Sequence, residues 1–260
     1  LISNFGDATV FLIDVTHPLS PSLITSVTIP FFAEDIAISP DGRYALVADG
    51  GWSAQLATLD IPAATLVYTA DLGTAYAQGV AIAPDGTVIF PDYSGHSIHT
   101  MVLEETGVLT YPAGMTQTNT YTYTYPDIPP TDSAYYIRPI NVGIAPDGQT
   151  LIVCDAATST VGIYQIVAPG VLTFTGLVTG AHGDYPFYPG SNPGVQSVAF
   201  NAAGDKAYLS INNMRTNDIT GTNTGDRVGI LAITGPGQLL IYTLTLRGTG
   251  PEISEITLLD

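Results

Sequence analysis

Asp35, Asn141 and Glu255 stand at matching stations ahead of a recurrent turn, with Gly79 and Ser197 at the two stations between them. Carboxylates and an amide gathered at one point offer hard oxygen donors, the ligand type that suits Ca²⁺. A second set, Asn4, Asp49, Asp92, Asp155 and Asn212, closes a series of apolar runs. Asp or Asn at a strand end also bonds the backbone of its own loop. That structural use competes with metal binding at both sets; it is the stronger reading at each, and most clearly so at the second.

Other reactive side chains are sparse. His182 beside Asp184 has the composition of acid–base equipment, but no matched nucleophile accompanies it. His96 and His99 flank one predicted strand, and a period of two sends them to opposite faces, which disfavours a shared metal. Cys154 lies in the apolar run Leu151-Ile152-Val153-Cys154 with no adjacent base, so it reads as a buried, inert thiol. Segment 213–226 carries Asn217, Asp218, Asn223 and Asp226 among glycines, but their spacing does not fit an EF-hand loop. There is no phosphate-binding glycine loop, no Cys-His zinc spacing and no Gly-x-Ser-x-Gly elbow. What the chain does offer is tyrosine: Tyr121, Tyr123, Tyr125 and Tyr135 in one insertion, Tyr185 and Tyr188 beside His182 and Asp184 in another. Tyrosine supplies rigid contact area with a polar tip at low entropic cost, which suits protein or glycan contacts. The Thr/Tyr alternation at 118–125 equally suits an extra β-hairpin arm.

The elements that must carry these residues follow one pattern: an apolar strand, a tight turn, a second strand ending in Asp or Asn, then two more strands. Pro40-Asp41-Gly42, Pro84-Asp85-Gly86 and Pro146-Asp147-Gly148 mark three copies of the turn, and Asn201-Ala202-Ala203-Gly204 a degenerate fourth. Proline presets φ, aspartate caps the turn and glycine takes the positive φ, so each corner is a hairpin with a mechanism. The turn glycines lie 44, 62 and 56 residues apart, near the roughly 40 to 50 of a propeller blade once loop insertions are allowed. The sequence therefore predicts an all-β fold, a single β-propeller domain over 1–260 built of four-stranded antiparallel blades. Residues 1–29 supply three strands of a blade and 252–260 an isolated first strand. One blade shared between the termini gives five in all; the alternative is a part of a six- or seven-bladed ring.

The segment Leu1-Ile2-Ser3-Asn4-Phe5-Gly6-Asp7-Ala8-Thr9-Val10-Phe11-Leu12-Ile13-Asp14 resembles the YVTN repeat, in which an apolar strand ends in Thr-Asn and a later one finishes Val-x-Val-Ile-Asp. The 46–61 and 151–166 segments are similar, with Asp49 and Asp155 replacing the asparagine. The resemblance implies a YVTN/NHL-type propeller, a class that includes lactonases, surface-layer proteins, adhesion modules and redox enzymes, so it fixes no activity. It also makes Asp35, Asn141 and Glu255 look like the divalent-metal site of calcium-dependent propeller lactonases.

Charge narrows the partners. Twenty-three acidic residues face six basic ones, for a formal net charge of −17. Such a surface repels phosphate backbones and anionic headgroups, so nucleic acid and membrane insertion are not expected. The near-absence of lysine and the wealth of Thr, Tyr and Gly point to an extracellular or cell-surface protein, whose leader has been removed. All three long insertions, 115–139, 181–194 and 213–226, fall on the face opposite the Pro-Asp-Gly corners, and binding lives where long loops gather. The expectation is a non-catalytic module that binds protein or glycan at this rim or self-assembles, with no cofactor. A Ca²⁺-dependent lactonase-like hydrolase is the alternative.

Overall fold

The computed structural model describes residues 1–50, 53–73, 75–122, 137–156, 160–179, 194–212, 227–235 and 238–244. Every regular element among them is a β-strand, and every pairing whose register is defined is antiparallel. No helix among the described residues is long and apolar enough to cross a membrane. The chain divides into two compact units, Leu1–Thr120 with Pro169–Val171, and Tyr121–Ala168 with Leu172–Asp260.

In the first unit, β1 (Ile2–Asn4), β2 (Thr9–Asp14) and β3 (Ser22–Thr28) form a three-stranded sheet. Next come β4 (Ala33–Ile38), β5 (Tyr44–Asp49), β6 (Gln55–Asp60) and β7 (Thr65–Asp71), paired in sequence order as a four-stranded meander. The third sheet holds β8 (Ala81–Ile82), β9 (Thr87–Asp92), β10 (Ser97–Leu103) and β11 (Leu109–Thr110), with β12 (Asn119–Tyr121) also paired to β10. Two complete meanders follow in the second unit. One is β13 (Pro139–Ile144), β14 (Thr150–Asp155), β15 (Thr160–Ala168) and β16 (Val171–Thr179); the other is β17 (Gly194–Phe200), β18 (Lys206–Asn212), β19 (Arg227–Gly235) and β20 (Gln238–Leu244).

The four corners are equivalent, as the sequence predicts. Gly42, Gly86, Gly148 and Gly204 all have φ between +70° and +86°. Each donates its N–H to the carbonyl three residues back, of Ser39, Ala83, Ala145 and Asn201. The cap varies with the local sequence. Asp147 accepts the N–H groups of Gln149 and Thr150 through Oδ1 and the Thr150 hydroxyl through Oδ2. At the degenerate corner, which lacks both Pro and Asp, Asn201 Oδ1 accepts the Lys206 N–H at 2.9 Å and its amide donates to Asp205.

Second strands are buried on both faces, which is why they read as continuous apolar runs rather than alternating ones. In β5, Ala45 and Val47 pack with Val10, Leu12 and Ile29 against the first sheet, while Leu46 and Ala48 pack with Val88 and Phe90 of the third. Period-two alternation thus lets one strand serve two cores. In the second unit Ile152 and Cys154 of β14 pack against Val195, Leu209 and Ile211. The Cys154 thiol is fully buried, and burial together with Asp155 pushes its pKa far above the ordinary thiol value.

First strands share an irregularity that the sequence does not announce. The register slips between Ala33 and Ile36 in β4, between Pro139 and Asn141 in β13, and between Val195 and Ser197 in β17. A β-bulge at the same station re-aims the side chains beside it. In the third sheet, β11 covers only Val102 and Leu103 of β10. The insertion then returns as β12 with Thr118 and Thr120 against His99, so the outer position is filled by two short pieces.

Candidate functional site at the strand-end rim

Asp49, Asp92 and Asp155, the last residues of β5, β9 and β14, are all buried. Asp92 Oδ1 accepts the Tyr76 N–H at 3.0 Å and the Gly95 N–H at 2.8 Å, while the Tyr93 N–H donates to the Tyr76 carbonyl. The Arg138 N–H points at Asp155 Oδ1 at 3.4 Å, and the Ala156 N–H donates to the Arg138 carbonyl at 2.9 Å. Gly50 repeats the backbone half of this arrangement with the Phe32 carbonyl. Asn4 bonds only locally through Oδ1, to the Gly6 N–H. Asp92 and Asp155 are therefore clasps. Each holds the end of a second strand to the segment leading into the first strand of its sheet, a longer reach than the local Asx bond predicted.

Asp92 also faces a histidine. His99 Nε2 lies 3.6 Å from Asp92 Oδ2 and 3.0 Å from Ser97 Oγ, its Nδ1 lies 2.9 Å from Thr118 Oγ1, and its ring stacks on Phe90. Although serine, histidine and aspartate meet here, a proton relay needs the acid and the nucleophile on different ring nitrogens. Both address Nε2, so the group is a buried polar pin for β12. Burial works to raise the Asp92 pKa, but the His99 contact, the two backbone N–H bonds and the imidazole charge prevail and hold it below the usual carboxylate range.

The predicted metal ligands divide between the units. Asp35, in the bulge of β4, accepts the Ile36 N–H at 2.9 Å through Oδ1 and the Val80 N–H at 3.0 Å through Oδ2. Its carboxylate thus ties β4 to the segment entering β8. Asn141, half-buried in β13 opposite Cys154, belongs to the second unit. Ser197 of the same column spends its hydroxyl on Ser210, at 2.9 Å. Among the described residues no group of three or more His, Cys, Asp or Glu is gathered as a metal site.

Of the predicted rim tyrosines, Tyr121 is half-buried, accepts the Leu172 N–H at 2.8 Å and packs edge-on against Tyr164. Tyr123, Tyr125, Tyr135, His182, Asp184, Tyr185, Tyr188 and Glu255 lie outside the described residues.

The first unit brings together residues that the sequence reasoning passed over. Phe5, in the turn after β1, and Phe32, just ahead of β4, are 54% and 44% exposed and stack at 5.4 Å with 27° between their planes. Glu34 rises beside them from the bulge. A Cβ on Gly50 would sit 2.3 Å from Glu34 Oε2 and 2.7 Å from Phe5 Cε2, so carboxylate and ring share the space over a bare stretch of backbone. That Gly50 carbonyl accepts the Tyr76 hydroxyl at 3.1 Å, the Gln78 amide donates to the same hydroxyl at 3.2 Å, and Ser3 Oγ donates to the Glu34 carbonyl. Burial of its inner side, then the charges of Asp35 and Asp49, push the Glu34 carboxyl up. Burial, then Glu34, raise the Tyr76 phenol against the opposing Gln78 bond. One signal was available in sequence: Phe31-Phe32 cannot both turn inward in an extended segment, and only Phe31, 3% exposed, does.

No protein-family model matches the chain, and no curated protein matches it. Solved structures do. A functionally unknown protein from Desulfotomaculum acetoxidans superposes with a TM-score of 0.67 at 18% identity, over 92% of this chain and 63% of that one. A periplasmic gluconolactonase of Pseudomonas aeruginosa gives 0.63 at 16%, over 89% and 62%. Both have β-propeller-type folds. The fold is propeller-type. Hydrazine synthase of Kuenenia stuttgartiensis, at 0.60 and 17% over 94% and 62%, extends the likeness to another chemistry. At such identities the propeller is shared and nothing finer. This propeller chain spans a little over three fifths of the length of each of these structures.

Proposed function

We propose that this chain is an extracellular or cell-surface propeller of the YVTN/NHL class that acts as a binding module, engaging a protein or glycan through the rim of strand-end loops. The observation that carries the reading is the exposed Phe5–Phe32 stack beside Glu34. Water-facing aromatic rings next to a carboxylate supply contact area and orientation together, the pairing on which recognition sites rely. Asp35, whose charge acts on Glu34, and Asp92 serve the backbone, which supports a binding role over a catalytic one. The test is a panel of immobilised oligosaccharides and peptides read against wild type and Phe32→Ala. A ligand whose affinity falls about tenfold in the variant is expected, the loss of one well-packed aromatic contact. If every captured ligand binds both proteins equally, or none is captured, the reading fails.

A second reading rests on the likeness to a periplasmic gluconolactonase. A lactonase-like hydrolase would use Ca²⁺ held by Asp35 and Asn141, with Glu255 as a third donor. Calorimetric titration with Ca²⁺ separates the two: heat in wild type that vanishes in Asp35→Ala favours the hydrolase, and equal traces favour the binding module.

A further inference from the structure

We propose that the Phe5–Phe32–Glu34 site receives a cationic side chain, foremost the guanidinium of an arginine in a basic segment of a partner protein. The inference rests on the binding reading above and names the chemistry that the rim selects.

Three observations converge on a cation. The site presents the faces of two stacked, exposed rings with a carboxylate at the edge of one of them, and an aromatic face attracts a cation through its quadrupole. The influences on Glu34 are burial and the like charges of Asp35 and Asp49, and among the described residues no cation opposes them. A neutral sugar would leave that repulsion in place, whereas a guanidinium relieves it while stacking its own plane on the rings. At long range, a net charge of −17 draws basic partners towards the protein.

The chain already builds the complete arrangement elsewhere. Arg43 stacks over Tyr44 at 4.8 Å from the ring centroid while its Nε lies 3.7 Å from Asp60 Oδ2. The rim site has the ring and the acid of that trio, and the partner supplies the third member.

Fluorescence anisotropy with a labelled peptide of alternating glycine and arginine, against the same peptide with citrulline, tests this. Citrulline keeps the shape of arginine and removes its charge. The arginine peptide is expected to bind at least tenfold more tightly, the combined scale of a cation–π contact and an ion pair. Glu34→Gln, which preserves the side-chain volume, and Phe32→Ala are each expected to weaken it three- to tenfold. Glu105→Gln removes the same charge from an exposed position at the Pro-Asp-Gly end, where the Glu105 carbonyl accepts the Tyr44 hydroxyl, and it is expected to change affinity less than twofold. Equal binding of the two peptides, or equal effects of Glu34→Gln and Glu105→Gln, would overturn the proposal. Phe32-dependent capture of a neutral ligand with no preference for arginine overturns the cation alone and leaves the binding role standing. Absence of any Phe32-dependent ligand removes both.

Discussion

Asp92→Ala is expected to destabilise the protein by about 2 kcal/mol, because it strands a buried backbone donor and releases the turn that follows β9. The Tyr76 and Gly95 N–H groups both end on Asp92 Oδ1; Tyr76 is buried and Gly95 exposed, and a buried donor left without an acceptor costs roughly 1–3 kcal/mol. For a chain of this size the loss corresponds to a fall in Tm of roughly 4–8 °C. It should also free Tyr76, whose hydroxyl steadies the Gly50 carbonyl beneath the aromatic pair, so binding at the rim weakens along with stability. Acid supplies an independent signature. The folded pKa of Asp92 is depressed below its ordinary value of 3.8, so the stability owed to its negative charge is complete above that value and lost as the pH falls through the depressed one, while the protonated carboxyl keeps an acceptor oxygen. The gap between the urea midpoints of wild type and Asp92→Ala should therefore be widest at about pH 7 and narrow, without closing, as the pH falls through the depressed pKa. Asp92→Asn retains an acceptor oxygen, so its loss at pH 7 should be about a third as large. Parallel pH profiles for wild type and Asp92→Ala would show that the carboxylate is not the stabilising group.

How far the sequence reveals this arrangement depends on the range of each interaction. The hairpin corners are legible because their causes are local: Pro-Asp-Gly carries its own φ values and cap, and Asn201 with Gly204 preserves enough of both to hold the fourth corner. The buried second strands are legible too, since Leu46 to Ala48 and Leu151 to Cys154 leave no polar side for water. The destinations of Asp35 and Asp92 were not legible. Their acceptors meet N–H groups of Val80 and Tyr76, which come from distant segments and are not encoded in any residue type. The pattern places Asp92 correctly at the end of β9, yet it has no means of telling a backbone clasp from a metal ligand. The aromatic rim escaped for a related reason. Phe5 and Phe32 are ordinary apolar residues in sequence, and only the bulge and turn geometry around Glu34 and Gly50 brings them together at the surface. Propeller repetition was visible in the turns, whereas the split outer position of the third sheet arises from an insertion whose Thr118 and Thr120 find His99 only after folding.

Gly194→Ala tests whether the clasps form a rigid frame or an adaptable one, and it is expected to cost about 3 kcal/mol or more. A Cβ there would lie 2.2 Å from the Ala156 carbonyl oxygen, 2.7 Å from its carbon and 2.8 Å from its Cα. All three atoms are backbone, so no side-chain rotation gives relief. Ala156 cannot retreat freely, because its N–H is bonded to the Arg138 carbonyl and the preceding Asp155 receives the Arg138 N–H. Gly194 cannot retreat either, being paired with Asn212 and followed by the fully buried Val195. Overpacking a constrained site typically costs 1–3 kcal/mol, and breaking a buried clasp adds to it. Gly176→Ala, in β16, provides the contrast: a Cβ at Gly176 meets nothing within 4 Å. That change should be neutral or stabilise by about 0.5 kcal/mol, through lost freedom in the unfolded chain. Equilibrium unfolding of the two variants reads the difference directly, and hydrogen exchange at the Ala156 N–H locates it. A Gly194→Ala protein as stable as wild type, with Ala156 still protected, would mean that β17 slides away from Ala156 without penalty, and the strand-end acids would then act as local caps rather than as a frame.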